Sequence, residues 1–437
     1  MSRVPATYRR LFRSEILDVC VFIFVADIVT GVPTPIFSLY ATALGASLGV
    51  LGVLTAVLGL GRLLSALPIG MISDRLGRKS VLVGGMLMFG AAFLAYAAAP
   101  SAEWLVVPRM LQAIAMVATF PLGIAYIGDV VEPRDRPAAI GMYTAAMGAG
   151  FAVGPLIGSW ISANAGYPEA YLAGAVIAFS GAAYGAVRLV RAKPGGGFAI
   201  GTGLFDVAAL RPLVREPAML MACVANIAMT LSMTGAIFTY FPLYARVAGL
   251  STVTIGTLFA WRAIASASGR IPMGPLSTRL PARWTLAGVL LVEAAINVSI
   301  PHTRSATLLT ALLILEGIGF GVFLVSGQAA VAAASGPHNR GAAVGMFWMA
   351  GSLGDLFGPI LLGAVAQAWG LVAVFQGVGI AVAVGAVVIG ALGVLERVRL
   401  GRVAAKDSRQ DRGVDVAAGD DAHHAAVGSE PLQAGRH

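Results

Sequence analysis

Long apolar stretches, separated by short polar segments, follow one another along most of the chain. A helix needs about 20 predominantly apolar residues to cross the hydrocarbon layer of a bilayer, and twelve stretches meet or approach this length. We number them spans one to twelve, at residues 16–42, 47–70, 80–99, 104–128, 137–163, 169–189, 218–244, 251–274, 284–300, 305–333, 341–367 and 371–395. The pattern predicts an all-α membrane protein with twelve transmembrane helices.

The composition agrees with a chain that lies in lipid. Of its 437 residues, 58% are hydrophobic and 12% are charged, which is about half the charged share of an average soluble protein. The net charge of +9 does not indicate a nucleic-acid partner, because the basic residues are scattered between the spans and form no basic patch. Cys20 and Cys223 lie within spans, with no second thiol or histidine at ligand spacing, so we expect neither a disulfide nor a metal site.

The basic residues also predict the orientation of the chain. If the spans alternate in direction, 24 of the 30 Lys and Arg residues lie on the side of the N-terminus, and only Arg246 and Arg304 lie on the other side. Loops rich in basic residues face the cytoplasm, so both termini are predicted to be cytoplasmic. The first span carries Asp27 and exceeds the apolar length of a signal peptide, so we expect it to be retained. The excess of arginine over lysine favours a GC-rich genome and hence a bacterial inner membrane.

The sequence repeats itself at an offset of 204 residues. Three stretches align without a gap: 37–41 with 241–245, 68–76 with 272–280, and 136–159 with 340–363, the last with nine identities in 24 positions. Each copy holds six spans, an even number, so the two halves are parallel repeats, which suit a transporter that rocks one half against the other. The predicted divisions are an N-terminal half at 1–190, a cytoplasmic linker at 191–216, a C-terminal half at 217–395 and a disordered cytoplasmic tail at 396–437.

The loop after span two carries the most specific motif of the chain. It reads G-x3-D-R-x-G-R-K and consists of Gly70, Asp74, Arg75, Gly77, Arg78 and Lys79. With all six positions filled, it resembles the loop signature of the major facilitator superfamily. The resemblance implies the major facilitator fold, in which Asp74 contacts the start of span eleven near Gly341 when the cytoplasmic side is closed. A helix N-terminus favours such a carboxylate. The second repeat has Thr278 in place of Asp74, so we expect this contact on one side only.

Span five contains a second motif, formed by Gly141, Gly150, Gly154, Pro155 and Gly158. It resembles the antiporter signature of drug/proton antiporters, G-x8-G-x3-G-P-x2-G-G, except that Ser159 replaces the last glycine. Span four adds Arg109 and Gln112, which resemble the short R-x2-Q-G element of the same family with Ala113 in place of glycine. Small residues at these spacings allow helices to pack closely, and ordinary packing is the alternative interpretation, since 55 of the 437 residues are glycine.

Ionisable side chains inside the spans are costly in lipid and are expected to be functional. The superfamily resemblance implies that spans one, four, seven and ten line a central cavity. The predicted cavity residues are Asp27, Gln112, Met116, Phe238, Phe241, Glu316 and Phe320, and the candidates for proton coupling are Asp27, Glu316, Arg109 and Asp355. Asp27 is favoured over Glu316 as the proton carrier. The alternative is a structural role in a buried pair, such as Arg109 with Asp27. We interpret Glu293 as a snorkelling or packing residue and assign Arg62 and Arg270 to gating.

Together these features predict a secondary transporter that exports small apolar or cationic compounds in exchange for protons. A proton-coupled symporter or metabolite carrier on the same fold is the alternative, because fold does not fix function. An enzyme is not expected: the five histidines lie in loops or in the tail, and the chain has no phosphate-binding loop of the G-x4-GK-[ST] type. We expect no cofactor, a monomer, and a small molecule, protons and the lipid bilayer as partners.

Overall fold

The computed structural model describes residues 14–191, 211–277, 279–336 and 339–426, and these segments are helical except for short turns. The helices of the first half are Ser14–Gly31, Phe37–Ala43, Leu48–Leu76, Arg78–Ala97, Val106–Val130, Arg136–Asn164 and Tyr167–Arg188. Those of the second half are Pro217–Thr230, Leu231–Phe238, Phe241–Val247, Thr252–Leu276, Ala282–Ser299, Ala306–Ala334 and Arg340–Ala426. Segment Leu231–Phe238 is a π-helix, and the last helix is interrupted at Gly370.

Nine helices of the described ranges are long and apolar enough to cross a membrane. The twelve predicted spans fit the structure once three further features are taken into account. The first helix, Ser14–Gly31, carries three acidic residues and ends at a break within span one, and Thr252–Leu276 carries two arginines. Span eleven and span twelve are joined into one long helix, in which Gly370 has a positive φ of 84° and marks the turn between them.

The backbone confirms the repeat of 204 residues. Gly45 and Gly249, 204 positions apart, both have a φ of 93°, a conformation that glycine adopts without steric cost. Two residues later, Ser47 and Ser251 each accept a hydrogen bond from the amide three positions on, which caps spans two and eight. The two halves are therefore copies of one six-helix unit.

The halves meet along two pairs of helices. Span two packs against span eleven, and span five packs against span eight, while the other extensive contacts lie within a half. We name the two ends of the bundle. The Asp74 end carries the loop between spans two and three. The Gly45 end carries the turns at Gly45, Gly166, Gly249 and Gly370. The sequence predicts that the Asp74 end faces the cytoplasm.

The C-terminal tail follows the last span. The sequence predicts disorder at 396–437, whereas the last helix continues to Ala426. Between residues 396 and 426 it holds seven alanines, five arginines and no proline, which favour helix, but also five aspartates and three glycines, which do not. Most of the predicted linker, at 192–210, and the last eleven residues lie outside the described ranges.

Candidate functional site: the centre of the helix bundle

Asp27 lies four residues before a break in span one. The first helix ends at Gly31, and a second helix begins at Phe37 after a turn that contains Pro33 and Pro35. Proline has no backbone N–H to donate, so the two prolines prevent one continuous helix. The Asp27 side chain is 5% exposed. Among the residues that the structure describes, none gives its carboxylate a hydrogen bond or an ion pair.

The glycines of the span-five motif let that helix lie directly on span one. A Cβ added at Gly150 would collide with the backbone oxygen of Phe24 and lie 3.0 Å from the Cβ of Asp27. Similar additions at Gly154 and Gly158 would collide with the backbone of span one further along. The motif therefore positions the segment that carries Asp27, and larger side chains at these positions would push it away.

The far end of the same motif contacts the other half of the protein. Ser159, which replaces the last glycine of the signature, is fully buried. A Cβ added at Gly256 of span eight would collide with Ser159 and with the backbone of Pro155. In the same way, a Cβ at Gly52 of span two would lie 3.0 Å from the Cα of Gly363 in span eleven. These two contacts are related by the repeat, and together they close the Gly45 end.

At the Asp74 end, the contact expected from the loop motif is not formed. Asp74 is exposed, and no residue in the described part of the chain pairs with it. A Cβ added at Gly141 of span five or at Gly341 of span eleven would meet nothing within 4 Å. Arg78 of the motif instead forms an ion pair with Asp129 at the end of span four, within the N-terminal half. The structure thus shows the state in which the halves are joined at the Gly45 end.

Arg109 and Gln112 of span four belong to a buried cluster in the N-terminal half. Gln112 Oε1 accepts hydrogen bonds from the Tyr96 hydroxyl at 2.8 Å and from Arg109 Nη1 at 3.3 Å. The Arg109 guanidinium lies 3.4 Å from the ring centre of Phe37, and this cation–π contact stabilises its positive charge without a carboxylate. The structure therefore does not contain the Arg109–Asp27 pair that was one interpretation of the sequence, since no ion pair within 4.0 Å joins these two described residues.

Glu316 of span ten forms an ion pair with Arg262 of span eight. Arg262 Nη2 donates to Glu316 Oε1 at 2.6 Å, and the second nitrogen and oxygen of the two groups are also in contact. Both side chains are buried, and the guanidinium lies 5.0 Å from the ring centre of Phe238 and 5.5 Å from that of Phe320. Removing one partner of such a pair would leave an uncompensated buried charge. Glu316 is thus held in place in this state, unlike Asp27.

Two other predicted cavity residues have different surroundings. Met116 lies one helical turn after Gln112 and is half-buried, so it remains a candidate for the cavity wall. Phe241 is fully buried after the π-helical segment and packs edge-on against Phe259, with ring centres 5.9 Å apart. Phe241 is therefore part of the apolar core in this state.

Asp355 of span eleven connects the two halves. Its Oδ2 lies 2.6 Å from Arg62 Nη2 of span two, and its Oδ1 accepts a hydrogen bond of 2.6 Å from the Thr234 hydroxyl of span seven. A nearby hydrogen bond between the Thr239 and Thr55 hydroxyls, at 3.3 Å, joins the same two halves. Asp355 therefore lies at an interface whose partners must separate if the halves move.

Two features of the candidate site were not recognised from the sequence. One is Arg262 as the partner of Glu316; a carboxylate deep in a span requires a cation, and Arg262 is one of four arginines within spans. The other is Glu293 of span nine, which is 1% exposed and bonded to polar side chains rather than packed as an apolar residue would be. Its partner Ser232 belongs to a separate helix, which no spacing along the chain indicates, whereas its partner Asn297 lies one turn further along the same helix.

Comparison with known proteins identifies the family. The sequence model of the Major Facilitator Superfamily matches residues 19–260 and 249–416, which together cover both halves. The chain belongs to this superfamily. It is thus a transporter of small molecules across a lipid bilayer, it is not an enzyme, and it has the fold that the loop motif implies. A crystal structure of the nucleoside transporter NupG shares this fold with a TM-score of 0.70 and 16% identity, over 87% of this chain and 98% of that one.

Relatives within the superfamily carry different names. An MFS-type transporter of Methanocaldococcus jannaschii is 21% identical over 79% of this chain and 89% of its own length. Multidrug resistance protein 1 of Bacillus subtilis is 29% identical over 32% of this chain and 36% of its own length. The 4-hydroxybenzoate transporter PcaK of Acinetobacter baylyi is 32% identical over 36% of this chain and 35% of its own length. The last two alignments span about a third of each relative.

Proposed function

We propose that this transporter is a proton-coupled antiporter that exports small apolar or cationic compounds by alternating access. The observation that carries the proposal is Asp27: a buried carboxylate in span one that has no hydrogen bond or ion pair from the described residues. The similarity to a protein named for multidrug resistance supports the substrate class. We also propose that the protein acts as a monomer in a bacterial inner membrane.

The charge of Asp27 can link proton and substrate because both compete for it. Arg270 of span eight acts electrostatically on Asp27 from the other half, without forming an ion pair. A proton at Asp27 removes the attraction for a cationic substrate, and a bound cation expels the proton. Because span five packs on the backbone beside Asp27, a change at this carboxyl also reaches the interface between the halves.

A symporter or carrier of anionic metabolites is the second candidate function. It is favoured by the similarity to a 4-hydroxybenzoate transporter. It is also favoured by Arg270, whose Nε is buried without a hydrogen bond and can donate one to the carboxylate of a substrate. The two candidates differ in direction. In proteoliposomes with an imposed pH gradient, antiport predicts that substrate moves against the protons and symport predicts that it moves with them. A panel of cationic, neutral and anionic compounds, tested with and without the gradient, separates the two.

The proposed orientation predicts the behaviour of fused reporters. A reporter that is active only in the cytoplasm should work when fused at residue 200 or 400 and should fail at residue 166, because basic residues predominate on the side of the first two positions. A periplasm-specific reporter at the same three sites serves as the control and should give the opposite pattern. Cytoplasmic activity at 166 combined with inactivity at 200 would reverse the orientation.

Asp74→Asn is expected to slow transport without impairing substrate binding. The exposed, unpaired Asp74 fits a group that acts in the other conformation, at the helix N-terminus near Gly341. Loss of a charge–dipole interaction of about 1 to 2 kcal/mol changes the population of that state by about 5- to 30-fold. The measurement is the transport rate beside equilibrium binding and membrane abundance. Glu132→Gln, an exposed carboxylate of the next loop on the same face, is the matched control, and equal rates for both variants would contradict the assignment.

A further inference from the structure

Glu293 of span nine sits in a closed polar cluster inside the C-terminal half. Its Oε1 accepts hydrogen bonds from the Ser232 hydroxyl at 2.5 Å and from Asn297 Nδ2 at 3.1 Å. Asn297 Nδ2 also lies 2.8 Å from Ser232 Oγ. All three side chains are at most 1% exposed. The cluster thus lies away from water, between span nine, which the sequence does not associate with the cavity, and span seven, which it does.

Two oxygens of this cluster accept no hydrogen bond. Glu293 Oε2 and Asn297 Oδ1 are buried, and none of the described residues donates to them. No cation lies within 4.0 Å of the carboxylate in the part of the chain that the structure covers. Buried polar atoms are normally satisfied, and a buried charge is normally paired. The cluster therefore lacks a positively charged or hydrogen-donating ligand.

A proton suits these two oxygens better than a metal ion does. Hard cations such as Ca²⁺ and Mg²⁺ take six or more oxygen ligands, whereas only two oxygens are free here. Protonation at Oε2 makes the carboxyl neutral, so that no buried charge remains unpaired. It also gives the carboxyl an O–H group, which can donate a hydrogen bond within the cluster. The ligand that the geometry requires is thus a single proton on Glu293.

Two charged groups outside span nine act on Glu293. These are Glu316 of span ten, which repels a second negative charge, and Arg262 of span eight, which attracts it but is already paired with Glu316. Spans seven and twelve, which also pack on span nine, contribute no charged residue between 217 and 245 or between 371 and 395. The charge state of Glu293 is therefore linked to the Arg262–Glu316 pair.

Span seven connects the cluster to the interface between the halves. Its π-helical segment Leu231–Phe238 contains Ser232, which bonds Glu293, and Thr234, which bonds Asp355 of the inter-half ion pair. Phe238 at the end of the same segment lies against Arg262. π-Helical turns are rare and occur frequently at functional sites. A change in Glu293 thus reaches the contact between the halves through Ser232 and Thr234, which are two residues apart in this segment.

We propose that Glu293, with Ser232 and Asn297, is a second proton-binding site, which is occupied in the state closed at the Gly45 end and controls the opening of that end through the π-helical segment. This inference rests on the proposed proton-coupled function, but it differs from the assignment of substrate exchange to Asp27. Loss of the proton leaves a second negative charge, which Glu316 of span ten repels. The π-helical segment must then shift, and Asp355 with it.

The test measures conformation against pH in the absence of substrate. Spin labels are placed on exposed positions at the Asp74 end of each half, as Ser80→Cys and Ala333→Cys, in a background in which the buried Cys20 and Cys223 are replaced by alanine. The distance distribution of the full chain in lipid nanodiscs is recorded by pulsed electron paramagnetic resonance over a series of pH values. The parent should shift between two distances as the pH changes.

Glu293→Gln should remain at the low-pH distance of the parent at every pH, because glutamine is neutral and has nearly the same shape. Asp27→Asn should keep a pH-dependent shift, and Glu103→Gln, an exposed carboxyl, should behave as the parent. A parent-like response of Glu293→Gln overturns the proposal. Glu293→Asp retains a titratable carboxyl, so the pH-dependent change in distance should return in this variant. Its return would show that the result for Glu293→Gln does not come from misfolding.

The same preparations separate this inference from the proposed function. Reconstituted parent protein whose transport ignores an imposed pH gradient would contradict proton-coupled antiport, even if its conformation responds to pH through Glu293. The opposite result is gradient-driven transport by the parent together with an equal response of conformation to pH in the parent and in the Glu293→Gln variant. This result would leave proton-coupled antiport intact and refute the second proton-binding site.

Discussion

Asp27→Asn should abolish the gradient-driven accumulation of substrate while leaving the protein inserted and able to bind neutral compounds. Asparagine keeps the size of the side chain but cannot exchange a proton. Because the described residues give Asp27 no ion pair, the substitution leaves no partner charge unpaired, and the fold should tolerate it. The measurement is substrate transport in proteoliposomes with an imposed pH gradient, together with proton release by the purified protein when substrate is added.

Glu316→Gln is the informative comparison for this prediction. Glu316 is paired with Arg262, so its removal leaves a buried arginine without its carboxylate and should reduce stability as well as transport. Thermal unfolding of the two variants distinguishes these effects, since only Glu316→Gln should unfold at a lower temperature. If Asp27→Asn protein releases protons on substrate addition as the parent does, while Glu316→Gln does not, the exchangeable proton belongs to Glu316.

The outline of the fold could be predicted because it depends on features that are local in the sequence. The length of each apolar stretch set most helix boundaries within a few residues. The offset of 204 residues matched glycines and serine caps that recur at the same turns, such as Gly45 with Gly249. The family followed from one loop of ten residues. These signals require no knowledge of which helices become neighbours.

The partners of the central charges could not be predicted in the same way. The sequence offers Arg109 and Asp27 as partners on two cavity helices, but the guanidinium contacts Gln112 and the ring of Phe37 instead. Glu316 pairs with Arg262 from a helix that the sequence did not place in the cavity. Such pairings depend on the rotation and tilt of each helix, which are set by packing against neighbours rather than by local pattern.

The small residues of spans five and eleven show how a departure from the family pattern is accommodated. Ser159 is larger than the glycine that it replaces, and it lies against Gly256 of span eight, where the added atoms fit because Gly256 has no side chain. In the second repeat the glycine is present at Gly363, and it packs against Gly52. Both arrangements bring the backbones of the two halves together at the Gly45 end, so this contact can be formed and broken without moving bulky side chains.

A disulfide across the Gly45 end should lock the transporter in the state described here and stop transport. A Cβ at Gly49 of span two would lie 3.9 Å from the Cβ of Gln367 in span eleven, which is near the mean Cβ–Cβ distance of about 3.8 Å for protein disulfides. The variant Gly49→Cys with Gln367→Cys should therefore cross-link on mild oxidation. Alternating access requires these two helices to separate, so the oxidised protein should lose transport almost completely.

The cross-link is reversible, so its effect on transport can be tested in both directions. Reduction should restore transport to the level of the unoxidised double variant, and each single cysteine variant, treated identically, should keep its activity. Both positions are at least partly exposed, so the oxidant can reach them, whereas the native Cys20 and Cys223 are buried. Full activity of a completely cross-linked protein would mean that spans two and eleven stay together throughout the cycle, and that the closed Gly45 end is not one of two alternating states.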